Sequence, residues 1–435
     1  MADKQWWDKP KSRNVGLFID LSLYSEALRI TAERESITAL HLRQELSQRT
    51  RGLLFVEKQS KRVARDLVRE LDEFGWLQWP SDSGQSVDSI LYTLTPNGNR
   101  ILQLTDQEFR RRLAVKMHER YIIPGWFVAR LWKINPSGQG EVILPSPPSS
   151  WRPRVRPWEE KEWTNDLAVQ VKKASRMAET VCPGSFPIDD DTWVRAVDEA
   201  WKHLGTWKRK RKADASGEKI RTFSPRRRLA LAMRRAAIAI LFNTVPFGYQ
   251  EDDIWSNKQP LFPRAFTIWC PRLADLELIF YTDKHPDVVG RLIFPTAVFR
   301  QEAPHSLFEE VKGIQSPEEE SLWLYQPRWE GQRKTFLQTL IQTHRLISRR
   351  VGTLYVSLLD VRDEVCRQLR LSAMLFDKSL AYAFRESLHP GATHSISIET
   401  DVREDQRSGS GLLRRPIWID GVPYSLIAIG QTNLQ

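Results

Sequence analysis

The stretch that decides the N-terminal fold is LTPNGNRIL, residues 94–102, which closes a run of helix, strand and loop signals. Just upstream, four apolar residues recur at spacings of four, four and three: Val63, Leu67, Leu71 and Phe74. This period predicts a helix with one buried stripe, and Gly75 is placed to end that helix as a C-terminal cap. Strands are predicted at 77–79 and 91–94, around a polar loop at 81–89. The expected order over residues 15–104 is three helices followed by a two-stranded hairpin.

The third predicted helix also has a basic face. Its cations are Lys58, Lys61, Arg62, Arg65 and Arg69. A helix with an apolar back and a basic front suits insertion into a DNA major groove. The alternatives are a solvated helix face and a surface that binds protein.

This order of elements, together with the ending LTPNGNRIL, resembles the winged-helix fold, and its MarR-like branch in particular. The resemblance covers about 90 of the 435 residues. It implies that the helix carrying Lys58 to Arg69 is the recognition helix and that residues 81–89 form the wing. The wing departs from the pattern, because it carries Asp82 and Asp88 and no Lys or Arg.

An amphipathic helix is predicted directly after this unit, at 106–121. Phe109, Leu113 and Met117 lie on its inward face. The outward face is basic: Arg110, Arg111, Arg112, Lys116 and Arg120. This face is interpreted as solvated, with a second DNA backbone contact as the alternative.

The surplus charge of the chain is concentrated in one window. Residues 202–235 hold thirteen Lys or Arg against two acids, a net charge of +11 that equals that of the whole chain. Such a concentration indicates an anionic partner, a polyphosphate foremost. Five cations stand in a row within it: Lys208, Arg209, Lys210, Arg211 and Lys212. No packed core can absorb this run, so it is either solvated or occupied, and in a nuclear protein it could be an import signal.

The same window contains a predicted helix start. Ser224 suits an N-cap and Pro225 the first helical position of a helix that runs to about Phe242. Its first turn carries Arg226, Arg227 and Arg228. Cations there oppose the helix dipole by about 0.3–1 kcal/mol each, so an anion docked at this helix start explains them better than stability does. The alternative is pairing with acids elsewhere, such as those at 251–253.

The rest of the chain is divided at a proline-rich segment. Residues 145–157 contain five prolines, which favour an extended spacer. The predicted domains are a winged-helix domain with a helical extension (1–144), a linker (145–158), a basic, mostly helical middle domain (159–350) and a second winged-helix-like domain (351–435).

The C-terminal domain is predicted to repeat the plan of the first without repeating its sequence. Helices are expected at 358–369 and after Ser372, followed by strands at 395–399, 417–419 and 424–429. The candidate recognition helix is nearly neutral, with Asp377 and Glu386 against Lys378 and Arg385. A protein contact is therefore as consistent with this end as a DNA contact.

Signals for catalysis and for metals are weak. Asp275 and Glu277 on a predicted strand at 273–281, with Asp283 and Lys284 beyond, resemble the acids and lysine of restriction-type nucleases, but the required (D/E)xK triplet is not in place. The acids at 189–191 are predicted to cap a helix, and His389 and His394 have no supporting carboxylate or thiol. The three cysteines, Cys182, Cys270 and Cys366, show no ligand spacing and are predicted to be reduced structural thiols.

The sequence therefore predicts a mainly α protein with small β wings (α+β), in which winged-helix domains at both ends flank a helical basic middle. The expected function is non-catalytic DNA binding, with no cofactor, no metal and no membrane contact, in the cytoplasm. DNA is the expected nucleic acid, and protein partners or self-association are expected as well. A subunit of a prokaryotic defence or mobile-element complex fits this prediction. The alternative is a structural adaptor that bridges an SMC-type or other ATPase, by analogy with the order of domains in kleisin-like subunits.

Overall fold

The structure of the 435-residue chain is a computed structural model. The structure describes residues 21–49, 57–79, 88–121, 123–148, 150–151, 163–204, 225–242, 261–300, 308–315, 321–327, 333–400 and 417–431. Over these residues the protein is mainly helical with small antiparallel sheets, which confirms the α+β class. Within the same residues, no helix combines the length and the apolar content that crossing a bilayer requires.

The N-terminal unit, residues 21–102, has the order helix, strand, helix, helix, strand, strand, helix. Its elements are α1 (Leu21–Arg34), β1 (Ser36–Ile37), α2 (Ala39–Arg49), α3 (Glu57–Glu73), β2 (Leu77–Gln78), β3 (Tyr92–Leu94) and α4 (Pro96–Leu102). The three strands form an antiparallel sheet in the order β1-β3-β2. The strand β1 adds a third member to the predicted hairpin, and the predicted stripe Val63, Leu67, Leu71 and Phe74 is buried in α3.

The end of α3 and the start of α4 are fixed by the motif residues themselves. Gly75 adopts φ 69° and donates its amide to the Asp72 carbonyl, as a C-terminal cap does. Thr95 caps α4 by accepting the Gly98 amide at 2.9 Å, and its hydroxyl donates to the Gly75 carbonyl at 2.7 Å. A Cβ on Gly98 would lie 2.1 Å from the Trp76 carbonyl oxygen, so only glycine allows α4 to approach this closely.

The central region is built from helices and from strands, most of which were not predicted. Its helices are α5 (Asp106–Tyr121), α6 (Ile123–Ile134), α7 (Asn165–Val181), α8 (Asp190–Leu204), α9 (Pro225–Leu241) and α10 (Leu261–Asp275). Its strands are β4 (Val142–Pro145), β5 (Ile279–Thr282), β6 (Gly290–Pro295), β7 (Val298–Arg300), β8 (Phe308–Gln315) and β9 (Ser321–Pro327). They form two antiparallel sheets, β4-β6-β5 and β7-β9-β8. The predicted helical middle thus also holds five strands after residue 278.

The sheet β4-β6-β5 lies at the centre of the described structure. Helices α9 and α10 pack against β4 and β5 respectively. Pro145, where the proline-rich linker was predicted to begin, is the last residue of β4 and lies opposite Gly290 of β6. Proline is tolerated there because β4 is an edge strand.

The C-terminal unit, residues 333–431, has the same initial order as the N-terminal unit. Its elements are α11 (Arg333–Val351), β10 (Val356–Ser357), α12 (Leu358–Leu369), α13 (Ala373–Ser387), β11 (His394–Glu399), β12 (Ile417–Ile419), β13 (Val422–Tyr424) and β14 (Leu426–Gln431). The main sheet has the order β10-β14-β11, and β12 and β13 form a separate two-stranded hairpin. The helix α11 packs on α12, so the predicted boundary at 350/351 falls at the end of the first helix of this unit.

Candidate nucleic-acid interface

The helix α3 presents only part of its predicted basic face among the described side chains. Lys58, Lys61 and Arg62 fall within the bounds of α3, but their side chains lie outside the described ones. Arg65 is half-buried and forms a two-pronged ion pair with Asp88, next to β3. Arg69 is exposed. Among the described cations on this face, Arg65 is therefore paired with Asp88, an acid of the predicted wing.

The back of α3 is held by a buried ion pair. Glu70 is 5% exposed and accepts from the Tyr24 hydroxyl and from Nη1 of Arg272, the latter at 3.2 Å. Arg272 is fully buried in α10, and its guanidinium lies 5.5 Å from the Trp269 ring. This contact fixes the orientation of α3 relative to the central region.

The helix α9 begins at Pro225, as predicted, and its arginine-rich first turn meets the end of α8. Arg228 donates to the Trp201 carbonyl at 3.0 Å, and its guanidinium stacks 4.1 Å above the Trp201 ring. Arg228 thus joins the two helices. Arg227 is exposed and Arg226 is half-buried beside it. Arg228 therefore makes a structural contact between two helices, and Arg226 and Arg227 lie beside this contact.

This contact places the last turn of α8 next to the first turn of α9, at the two sides of the segment 205–224. The last turn of α8 carries Lys202, whose Nζ lies 2.8 Å from Asp198, and the first turn of α9 carries Arg226 and Arg227. The segment 205–224 that connects them lies outside the described residues. The predicted run Lys208, Arg209, Lys210, Arg211 and Lys212 falls within that segment. This run is joined through the chain to α8 and α9. We call the contact between the end of α8 and the start of α9, at Trp201 and Arg228, the corner.

The acids considered for nuclease chemistry have structural partners. The predicted strand at 273–281 is wrong, because α10 continues to Asp275 and β5 begins only at Ile279. Glu277 adopts φ 61° in the turn between them. Leu276 and Leu278 are buried on either side of it, so their burial comes from this turn and not from the alternation of a strand. The carboxylate of Glu277 accepts from Ser372 at 2.8 Å and lies 3.7 Å from Arg110.

Asp283 also lies beside arginines. It forms a bidentate pair with Arg291 at 2.7 and 3.0 Å, and Arg234 lies 3.5 Å away. Burial acts to raise the pKa of Asp283, but these arginines hold it below its usual value. The carboxylate of Asp283 therefore serves as an ion-pair partner of these arginines inside the fold.

The other sequence predictions in this region are confirmed in their local geometry. Asp189 accepts the Thr192 amide at 2.8 Å at the start of α8, and Ser372 accepts the Leu375 amide at 3.0 Å at the start of α13. Phe109, Leu113 and Met117 are buried along α5. The three cysteines are buried and free of disulfides.

One set of side chains that sequence reasoning missed could be mistaken for a metal centre. His285, Asp287 and Glu364 offer ligand atoms within 4.8 Å of one another. However, Nδ1 of His285 accepts the Asp287 amide at 3.2 Å and Nε2 lies 2.8 Å from Glu364, while Asp287 pairs with Arg350. Both ring nitrogens are therefore already engaged by protein groups. No local signal marks this set, because His285 and Glu364 are 79 residues apart.

Comparison with known proteins adds no relative to this picture: no protein-family model, no curated protein and no solved structure matches the chain.

Proposed function

We propose that this protein binds duplex DNA without catalysing a reaction on it, and that the corner formed by α8 and α9 holds the phosphate backbone. The observation that carries this proposal is the placement of Arg226 and Arg227 in the first turn of α9. Positive charge at a helix N-terminus opposes the helix dipole, whereas an anion docked there is favoured by the exposed backbone N–H groups and by the arginines together. The whole net charge of the chain is concentrated in the segment that contains this corner.

The architecture of the N-terminal unit supports a second DNA contact. Helix, strand, helix, helix, strand, strand with the last strand in the middle of the sheet is the arrangement expected of a winged helix, which is the fold we propose for this unit. In that arrangement α3 is the recognition helix. Lys58, Lys61, Arg62 and Arg69 would contact the groove or its rim, and the Arg65–Asp88 pair would fix the base of the wing. We assign backbone binding to the corner and groove contact to α3.

Salt dependence of binding tests the proposal directly. Each phosphate contact releases condensed counterions, so the logarithm of the binding constant should fall with the logarithm of salt concentration by about 0.9 per contact. Fluorescence anisotropy of a labelled duplex between about 50 and 300 mM salt measures this slope. We expect Arg227→Gln to reduce the slope by about one. Replacing all five cations of the run at 208–212 by glutamine should reduce it further.

The matched control is Arg345→Gln, an exposed arginine on α11 that should leave the slope unchanged. A slope near zero for the unmodified protein would contradict DNA binding. If Arg345→Gln and Arg227→Gln lose affinity equally, the loss comes from the change in net charge alone. That result would contradict a phosphate-binding site at the corner.

A second candidate function, a structural adaptor that bridges an SMC-type or other ATPase, is favoured by one feature of the C-terminal unit. Its third helix, α13, packs against the strand β12, and Arg385 of α13 pairs with Asp420 of the hairpin. The exposed side chains of α13 include Lys378, Arg385 and Glu386, and a face so nearly neutral in charge suits contact with protein better than contact with DNA. Co-purification of a stable ATPase partner, together with a salt slope near zero, would select this function over the first.

A further inference from the structure

The C-terminal unit contacts the central sheet through a polar stripe of α12. The stripe consists of Asp363, Glu364, Arg367 and, at the helix C-cap, Arg370. Glu141, just before β4, accepts from Nε of Arg367 at 2.8 Å and from Nη2 of Arg370 at 3.2 Å. The side chain of Glu141 is only 3% exposed, so one buried carboxylate serves two arginines across this contact.

The contact continues along the strand β5 and the turn after it. The Thr282 hydroxyl donates to Asp363 at 2.7 Å, and His285 meets Glu364 at 2.8 Å. Beyond them, Arg350 at the end of α11 pairs with Asp287. We call this set of contacts, from Glu141 to Asp287, the joint.

The joint has the composition of an interface between two separately folded bodies. The central side supplies the acids Glu141 and Asp287, and the C-terminal side supplies Arg350, Arg367 and Arg370, an arrangement of complementary charge. Polar contacts of this kind are typical of interfaces between domains that move, whereas permanent interfaces are more apolar.

The C-terminal unit also has apolar packing between its own helices. Val361 and Val365 of α12 are fully buried, as are Phe336 of α11 and Phe376 of α13, and the last two rings meet edge to face at 5.5 Å. These contacts lie within the unit and belong to a buried apolar cluster that extends into the central region.

We propose that the joint is a reversible docking device, at which the C-terminal unit separates from the central sheet as an intact body. Separation would expose the polar stripe of α12 and the ring of Phe294, over which Arg370 lies at 4.9 Å. The charges of the joint face solvent only after separation, where dissolved ions stabilise them, so added salt should favour the separated state. This device is independent of whether the protein binds DNA.

The three cysteines form a natural set of probes for this opening. Cys182 lies under the joint, with Sγ 3.7 Å from Asn135 and with Glu141, Arg367 and Arg370 as its charged neighbours. Burial, together with Glu141, raises the pKa of Cys182 to about 11, so its thiol reacts slowly while the joint is closed. Cys270 lies in α10 and Cys366 in α12, and both are fully buried in the cores of their own units.

Maleimide labelling of the full chain, with each cysteine quantified by mass spectrometry, measures the opening. We expect Cys182 to react well before Cys270 and Cys366, and its rate to rise about tenfold between 0.05 and 1 M salt. Glu141→Gln should raise the low-salt rate and remove most of the salt dependence. The matched control is Glu386→Gln, an exposed position on α13 that should behave as the unmodified protein does.

Equal labelling rates for all three cysteines at every salt concentration would overturn the proposal, because Cys182 would then be reached only by global unfolding. If Glu141→Gln does not fold, Thr282→Val removes the Asp363 bond from the other end of the joint and should also raise the rate for Cys182. Small-angle scattering of the unmodified protein should show the maximum dimension growing with salt, and a dimension that stays constant while Cys182 remains protected would also overturn the proposal.

Discussion

The two ends of the molecule share an order of elements but are attached to its centre in opposite ways. In the N-terminal unit the third helix, α3, is fixed from behind by the Glu70–Arg272 pair. In the C-terminal unit the second helix, α12, makes the attachment, and the third helix, α13, is covered by the hairpin β12–β13. The two units therefore have the same order of helices and strands but expose different helix surfaces to solvent.

The difference shows how the surroundings of a charge decide its effect. The pair Glu70–Arg272 is almost completely buried, at 7% and 0% side-chain exposure, whereas Arg385 and Asp420 are 57% and 65% exposed. Buried charges become costly when a partner is lost, and exposed pairs contribute little. Four predictions use this contrast.

The largest effect is expected from Glu70→Gln in the N-terminal unit. Removing this carboxylate charge breaks the buried ion pair with Arg272, which should lower the free energy of unfolding by about 3–5 kcal/mol. Urea denaturation of the full chain measures the change, with Arg69→Gln, an exposed neighbour on α3, as the control. A loss below about 1 kcal/mol would mean that water reaches Arg272 and that the pair is not the anchor of α3.

A smaller but substantial effect is expected from Ile417→Ala in the hairpin over α13. Ile417 is fully buried, so truncation should cost about 2–4 kcal/mol and loosen the hairpin. Trp418→Ala is the matched control, because Trp418 is the next residue, on the opposite face, and is 57% exposed. Hydrogen exchange of the β12–β13 amides distinguishes the two variants, and equal exchange in both would show that apolar burial does not hold the hairpin.

A pH effect of intermediate size is expected at the joint. Burial acts to raise the pKa of Glu364, but the hydrogen bonds from His285 and Gln368 and the charge of Arg367 leave it below the usual 4.5. A carboxyl group with a depressed native pKa stabilises the fold above its unfolded pKa, and that stabilisation is lost as the pH falls through the native value. The thermal midpoint of the C-terminal unit should therefore start to fall below about pH 4.5.

Calorimetry of the unmodified protein and of Glu364→Gln tests this pH effect. The variant should lose the part of the acid dependence that Glu364 contributes. An identical pH profile in the two proteins would show that Glu364 is not the source of the acid sensitivity.

The smallest effect is expected from Arg385→Gln. The ion pair with Asp420 is exposed to solvent, so its loss should change the free energy of unfolding by no more than about 0.5 kcal/mol. The measurement is the same urea titration as for Glu70→Gln, which places the exposed pair of one unit beside the buried pair of the other. A cost above about 2 kcal/mol would show that the hairpin is held by this charge contact after all.

The sequence predicted the elements best where local rules act alone. The cap at Gly75, the start of α9 at Pro225 and the cap of α13 at Ser372 are all found as predicted, because each depends on a few neighbouring residues. The predicted strand at 273–281 failed because alternating apolar residues are equally compatible with a helix end, a tight turn and a short strand.

The structure shows protein partners for two of the predicted DNA-binding residues. Arg65 pairs with Asp88, and Arg228 stacks on Trp201. Both partners are more than twenty residues away in the chain, which no periodicity reveals. Arg227, which is exposed, remains a prediction for phosphate binding.

The helix and turn signals and the buried stripe of α3 can be predicted from short stretches of sequence, because they depend on neighbours within about one or two helical turns. The concentration of charge in residues 202–235 follows from composition alone. Which charges are buried as pairs and which are exposed depends on the tertiary structure. No sequence signal marks the polar stripe of α12, which becomes a joint only because Glu141, Thr282 and His285 are brought against it from more than seventy residues away. Charge pairing across the fold depends on distances in space, and the order of residues along the chain does not record them.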